Sequence, residues 1–277
     1  MRTLLPTLVV ASLVTYSVSM TASQADNQFD QLVTPEVLYG VGNTNGGFAI
    51  DRHRGVEIGL RAQTRFPVAN DTTGLNSNGD GTYSMPAGAA CPDAFPSAPF
   101  PLCLATPVWN FTWSVNTDWD LSTAGKVNQF VYQIGMDSNP GPGTSFTLFD
   151  PITPSLVAPA WDHAFGDNTT ANGAGDETLI NYAANLAGKN VVQNSWNYEF
   201  FNNVGTSLAS FNPAVDGNYV IFLRAIDPVK KKVVAETMIQ VLVGNAPKVP
   251  RRKIELPKVG RDRDHDDDDD DHDGHDH

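Results

Sequence analysis

The stretches YVIFLRAI, residues 219–226, and VVAETMIQVLV, residues 233–243, decide the fold. Both are rich in β-branched and apolar residues, which pack well on a pleated, half-buried surface. Asp227, Pro228, Val229 and the lysines Lys230, Lys231 and Lys232 lie between them, a composition that suits chain reversal. The pair therefore reads as a β-hairpin. Arg224, Glu236 and Gln240 interrupt the apolar runs, as expected of a sheet packed on one face.

Outward from this hairpin, period-two alternation recurs along the chain. From Val56 to Phe66 one face reads Val56, Ile58, Leu60, Ala62, Thr64 and Phe66. The other reads Glu57, Gly59, Arg61, Gln63 and Arg65, and is expected to be wet. Trp109, Phe111, Trp113 and Val115 alternate in the same way with Asn110, Thr112 and Ser114. Phe130, Tyr132, Ile134 and Met136 repeat the pattern, as do Trp196, Tyr198 and Phe200. Pro and Gly punctuate the gaps, Gly141-Pro142-Gly143 among them, leaving little room for the long crossovers that parallel strands need. One helix is expected, with Asp176 as its N-cap, Leu179, Tyr182, Ala183 and Leu186 on one face, and Gly188 as terminator. The fold class is all-β: a mostly antiparallel β-sandwich with one short helix and a disordered C-terminal tail.

The ends bound the domain. Met1 and Arg2 precede an uncharged apolar run from Leu4 to Val18, and Ser23 and Ala25 stand at the spacing a signal peptidase reads. Residues 1–25 thus read as a secretory signal peptide. The run is too short for comfortable passage as a membrane helix, which needs about 20 apolar residues. Residues 26–244 form the expected sandwich domain. Residues 245–263 are basic and Pro-spaced, and residues 264–277 are almost purely Asp and His. Both are expected to stay unfolded, since neither carries enough apolar surface to offset its ordering entropy.

The net charge of −13 is unevenly spread. From Arg261 to the end, ten Asp stand against two Arg, so the tail holds −8 and the rest −5. No broad basic surface is implied, which argues against nucleic-acid binding. Cys91 and Cys103 flank a Pro-rich loop. In an oxidising compartment they are expected to pair, closing a loop worth about 3 kcal/mol. The alternative is a catalytic thiol, but no His lies nearby in sequence to activate it.

Several strings stand in order along the domain: NGGF (45–48), VEIGLRA (56–62), NSNGDGTY (76–83), WNFTWSVNTD (109–118), DHAFGDN (162–168), NSWNYEFF (194–201) and VDGNYVIFLRAID (215–227). Together they resemble a group of uncharacterised, secreted bacterial proteins that often carry a C-terminal sorting signal of the PEP-CTERM type. The resemblance implies export and assigns no activity or residue role. The PEP motif and apolar anchor of that group do not follow Gly244.

Three constellations hold ligand-type side chains. Asn76, Asn78 and Asp80 place oxygens at positions one, three and five of a loop, as in calcium sites. A twelfth-position Glu is missing, since Ala87 stands there, and a plain β-turn is the competing reading. Asp162, His163 and Asp167 could ligate a metal or supply a general base, or simply order a loop. The tail brings His265, Asp266, Asp267, Asp268, Asp269, Asp270, Asp271, His272, Asp273, His275, Asp276 and His277. Its carboxylates suit Ca²⁺ and its imidazoles Zn²⁺, both held weakly for want of fixed geometry. A solubilising end is the plainer reading.

Trp109, Trp113 and Trp196 are expected in the core, Trp119 and Trp161 at the surface. The function expected is that of a secreted, non-enzymatic binding or structural protein at the cell surface or in the extracellular matrix, the periplasm being the other compartment. Its partner would be an extracellular polysaccharide or another surface protein. The rival readings are a metal-dependent polysaccharide hydrolase built on Asp162, His163 and Asp167, and a lectin-like module using Trp119 or Trp161.

Overall fold

The computed structural model describes residues 27–40, 43–64, 75–90, 106–153, 163–196, 208 and 212–259. Two sheets face one another. The first has the strand order β1 (Gln28–Gln31), β2 (Phe48–His53), β3 (Val56–Thr64), β7 (Trp109–Asn116), β11 (Val191–Trp196) and β10 (Ala164–Gly166). The second has the order β4 (Thr82–Met85), β13 (Lys232–Val243), β12 (Gly217–Asp227), β8 (Val131–Asp137) and β9 (Phe146–Phe149). Neighbours run antiparallel except β13 and β4, which run parallel. A two-residue pair, β5 (Ala89–Ala90) and β6 (Thr106–Pro107), stands apart.

The hairpin legible in the sequence is β12–β13, paired from Gly217 opposite Val243 to Asp227 opposite Lys232, with a register shift between Ala225 and Ile226. The main core lies between the sheets. Trp109, Phe111, Trp113 and Val115 of β7 meet Tyr132, Ile134 and Met136 of β8 and Tyr219, Ile221 and Leu223 of β12. Each such side chain, fully buried, contributes roughly 1.5–3 kcal/mol. All three tryptophans expected inside are there. The sandwich closes along one side where β13 runs beyond its pairing with β4. There Glu236 donates its N–H to Asp51 Oδ2 at 2.8 Å, and Thr237 Oγ1 donates to the Ala49 carbonyl at 3.0 Å.

The outer faces depart from expectation. Glu57, Gly59 and Arg61 of β3 are as buried as their apolar neighbours, and so are Thr112, Ser114 and Asn116 of β7. The reason is a strap, residues 33–40 and 43–47, laid across the first sheet. Val33, Val37, Leu38 and Tyr39 of the strap join Phe48, Ile50, Ala164 and Val191 in a second core. Gly59 is required beneath it, because a Cβ there would meet Val33 Cγ1 at 2.9 Å.

A second strap corrects the expected domain end at Gly244. Residues 246–259 lie along the outer face of the second sheet, where Ile254 and Leu256 pack on Val220, Phe222 and Met238. The basic composition of this segment conceals two apolar plugs and a carbonyl partner for Arg224, enough to hold it. Gly135 lets Phe222 lie flat: a Cβ there would sit 2.0 Å from the ring. The acid part of the tail, including His265 to His277, lies outside the described residues.

The helix is also shorter than expected. α1 spans Tyr182–Gly188, preceded by a 3-10 turn at Leu179–Asn181. Asp176 does not cap it. Its carboxylate instead accepts from the side-chain amides of Asn181 and Asn185 and from the Thr178 N–H. Leu179 is exposed, and only Tyr182 and Leu186 of the expected face reach the core.

Candidate functional site

Of the three constellations singled out in the sequence, the Asn76–Asp80 loop and the residues His163 and Asp167 fall within the described residues, and the tail does not. In the Asn76–Asp80 loop the oxygens turn toward the protein. Asn76 Oδ1 accepts the Thr64 N–H at 2.9 Å. The Asn78 side-chain amide donates to Thr82 Oγ1 at 2.9 Å and Ser84 Oγ at 3.0 Å. Asp80 Oδ1 accepts from the Thr82 N–H and hydroxyl, and Oδ2 takes the Lys248 ammonium. Burial raises the Asp80 carboxyl's pKa, but the bonds from Lys248 and Thr82 outweigh it and hold the group below its usual range. The geometry is that of a self-bonded turn with its carboxylate already neutralised.

His163 and Asp167 flank β10, four residues apart, which in a strand separates them by about 13 Å. His163 is only 2% exposed and sits among the rings of Trp113, Tyr182 and Trp196, with centroids 5.3–5.8 Å away and all edge-on. Its Nε2 lies 2.8 Å from the Pro151 carbonyl oxygen and donates there. Asp167 faces a different partner set. It accepts from the Thr169 N–H and hydroxyl and pairs with Lys189 at 3.0 Å. Those bonds, Thr169's first, hold its carboxyl well below the ordinary range. The two side chains do not converge. Asp162 lies outside the described residues, as do Trp161, Cys91 and Cys103. Among the described residues no three His, Cys, Asp or Glu side chains gather closely enough to hold a metal, and no helix is long and apolar enough to cross a membrane.

Trp119 is partly exposed, and the Arg52 guanidinium lies 4.7 Å from the centre of its ring. One ring face is therefore taken by a cation.

The charged groups that sequence reading missed are buried ones. Arg61, 1% exposed, donates to the carbonyls of Thr44 and Gly46 at 2.7 and 2.9 Å and to the Tyr39 hydroxyl, with its guanidinium over Phe48. Glu57, equally buried, accepts from the Thr34 N–H and hydroxyl and pairs with Arg52. Burial raises its pKa, and the bonds from Thr34 and Arg52 offset only part of that rise. Gln193 grips the strap from both sides, accepting from the Leu38 N–H and donating to the Glu36 carbonyl, each at 2.8 Å. Nothing in the alternation marked these positions, because alternation reports polarity and not exposure.

A cleft of about 230 Å³ opens between Gly141–Thr144 and the second strap, floored by Asn218 and Val220. The Asn218 amide donates to Gln240 Oε1 and the Pro247 carbonyl. In the sequence, Gly141-Pro142-Gly143 reads only as punctuation.

The chain matches no known family model, no curated protein and no solved structure.

Proposed function

We propose that this chain acts outside the cytoplasm as a non-enzymatic binding or structural protein of the cell surface or extracellular matrix, with a tail that takes up divalent cations. The observation that carries this reading is His163. The best sequence candidate for a general base is spent on the aromatic core and a backbone carbonyl, and Asp167 is spent on Thr169 and Lys189. A base needs to reach its substrate, and a ring this enclosed does not. The signal-like first 25 residues and the resemblance to exported bacterial proteins support the compartment. The tail's ten Asp and four His supply the cation ligands, Ca²⁺ through carboxylate and Zn²⁺ through imidazole. A paired Cys91 and Cys103 fit the same oxidising setting. An extracellular polysaccharide or another surface protein is the partner class.

The test is a hydrolysis panel of extracellular polysaccharides run on the full chain and on His163→Gln. The expected result is no turnover for either protein, with the variant less stable. Turnover by the parent that vanishes in a folded variant would replace this reading with the hydrolase.

A further inference from the structure

The second strap has a direction. Near its start the Pro247 carbonyl accepts from Asn218, and ten residues later the Pro257 carbonyl accepts from Arg224 Nη1 at 2.6 Å. It therefore runs alongside β12 in the same sense, from the Gly217 end toward the Asp227 end. Arg224 stands three residues before Asp227, about 10 Å along the strand. Two further strap residues, Lys258 and Val259, cover about 7 Å of that distance. The chain thus leaves the described fold close to the β12–β13 turn.

That turn is the lysine run. Lys230, Lys231 and Lys232 are all exposed, and Lys231 has φ 51°, which holds the tight reversal. Lys230 is 67% exposed at its side chain, and its contact with Asp227 is loose, at 3.7 Å. The strap's own Lys248 and Arg251 are committed elsewhere, to Asp80 and to the Met238 carbonyl. Beside the turn, Val131 and Val233 stand at the same register position on either side of Ile226, both about 40% exposed. The eighteen residues that follow Val259 carry a net −8.

We infer that the aspartate run Asp266–Asp271 docks on the lysine turn Lys230–Lys232 of its own chain. Asp266 lies seven residue steps beyond Val259, a reach of up to about 25 Å, so the span is short for the tether. Three ammonium groups within one turn face six consecutive carboxylates, and the tether gives the contact a high effective concentration. The contact is electrostatic and surface-exposed, so it is salt-sensitive. It requires no cation, and a divalent ion would compete for the same carboxylates and weaken it.

Zero-length carbodiimide coupling of the full chain in cation-free, low-salt buffer tests this, read by peptide mass spectrometry on an equal mixture of light and isotopically heavy protein. The expected result is tail carboxylates joined to Lys230, Lys231 or Lys232 within one copy. The yield should be several-fold above that at Lys248, Lys253 or Lys258, and should collapse in about 1 M salt, where the Debye length is about 3 Å. Even labelling of all lysines, absence of links, or links between light and heavy copies would each overturn the proposal. The triple variant Lys230→Gln, Lys231→Gln, Lys232→Gln supplies a second readout. Without the ammonium groups, an Asp-specific protease in cation-free, low-salt buffer should cut the tail several-fold faster than in the parent, with cleavage elsewhere unchanged. Equal rates of tail cleavage would overturn the docking.

Discussion

The two straps cover equivalent outer faces with different balances of polar and apolar contact. The first, residues 33–40 and 43–47, is held through its backbone by buried polar side chains: Glu57 on Thr34, Gln193 on Glu36 and Leu38, Arg61 on Thr44 and Gly46. The second, residues 246–259, packs Ile254 and Leu256 on the sheet, and its backbone ties are fewer: Asn218 and Arg224 on the Pro247 and Pro257 carbonyls and Gln240 on the Val249 N–H, with the strap's own Lys248 and Arg251 bonded to Asp80 and the Met238 carbonyl. Hydrogen bonds demand one register, since a shifted strap would strand several buried donors and acceptors at once. Apolar contact is graded and tolerates sliding. The first face should therefore fail abruptly and the second gradually.

Arg61 carries the largest expected effect. Replacing it by Ala leaves the Thr44 and Gly46 carbonyls without their donor and opens a void, so a loss of about 3–5 kcal/mol is expected in denaturant unfolding. A cost near zero would mean that the apolar contacts of Val33, Val37, Leu38 and Tyr39 hold the first strap without these bonds. Next comes Gly135→Ala, where the added methyl meets the Phe222 ring. About 1–3 kcal/mol is expected, with faster hydrogen exchange in β8 and β12 near the second strap. Ile254→Ala should cost only about 1 kcal/mol, because the side chain is half-buried. Its signature would be faster protease cleavage between residues 246 and 259 with the domain otherwise intact. An equal opening of residues 33–47 would deny that the straps act separately.

The smallest effect is the pH dependence of Asp167. Its folded carboxyl titrates below the unfolded value of about 3.9. Its contribution is therefore present above that value and lost as pH falls below it. Asp167→Asn should leave stability at neutral pH lower by less than about 1 kcal/mol, as expected of a largely exposed pair. The variant's acid-unfolding curve should be shallower below about pH 4. An unchanged acid limb would sever Lys189 and Thr169 from the stability of β10.

Much of the fold was legible because burial and alternation agree wherever the face in question points into the main core. Trp109, Trp113, Tyr132 and Ile221 are where their spacing puts them. Alternation misled at Glu57, Gly59 and Arg61, because the cover comes from a segment over ten residues away whose own sequence shows no strand period. Composition misled after Gly244, where Lys and Arg hid Ile254 and Leu256. The cation-like spacing of Asn76, Asn78 and Asp80 is shared by self-bonded turns. The difference lies in Thr64, Thr82 and Lys248, two of which are distant in sequence. Asp176 resembled an N-cap until its carboxylate was seen to hold Asn181 and Asn185 instead.

The central claim is that the folded domain is a scaffold and the cation chemistry belongs to the tail. Calorimetric titration with Ca²⁺, and separately with Zn²⁺, of the full chain and of a chain ending at Val259 tests it most directly. Weak, multi-site binding by the full chain is expected, lost on truncation, with the Zn²⁺ component fading as pH falls through about 6.5. Equal stoichiometry and affinity in the truncated chain would contradict it and return the ligands to the folded domain.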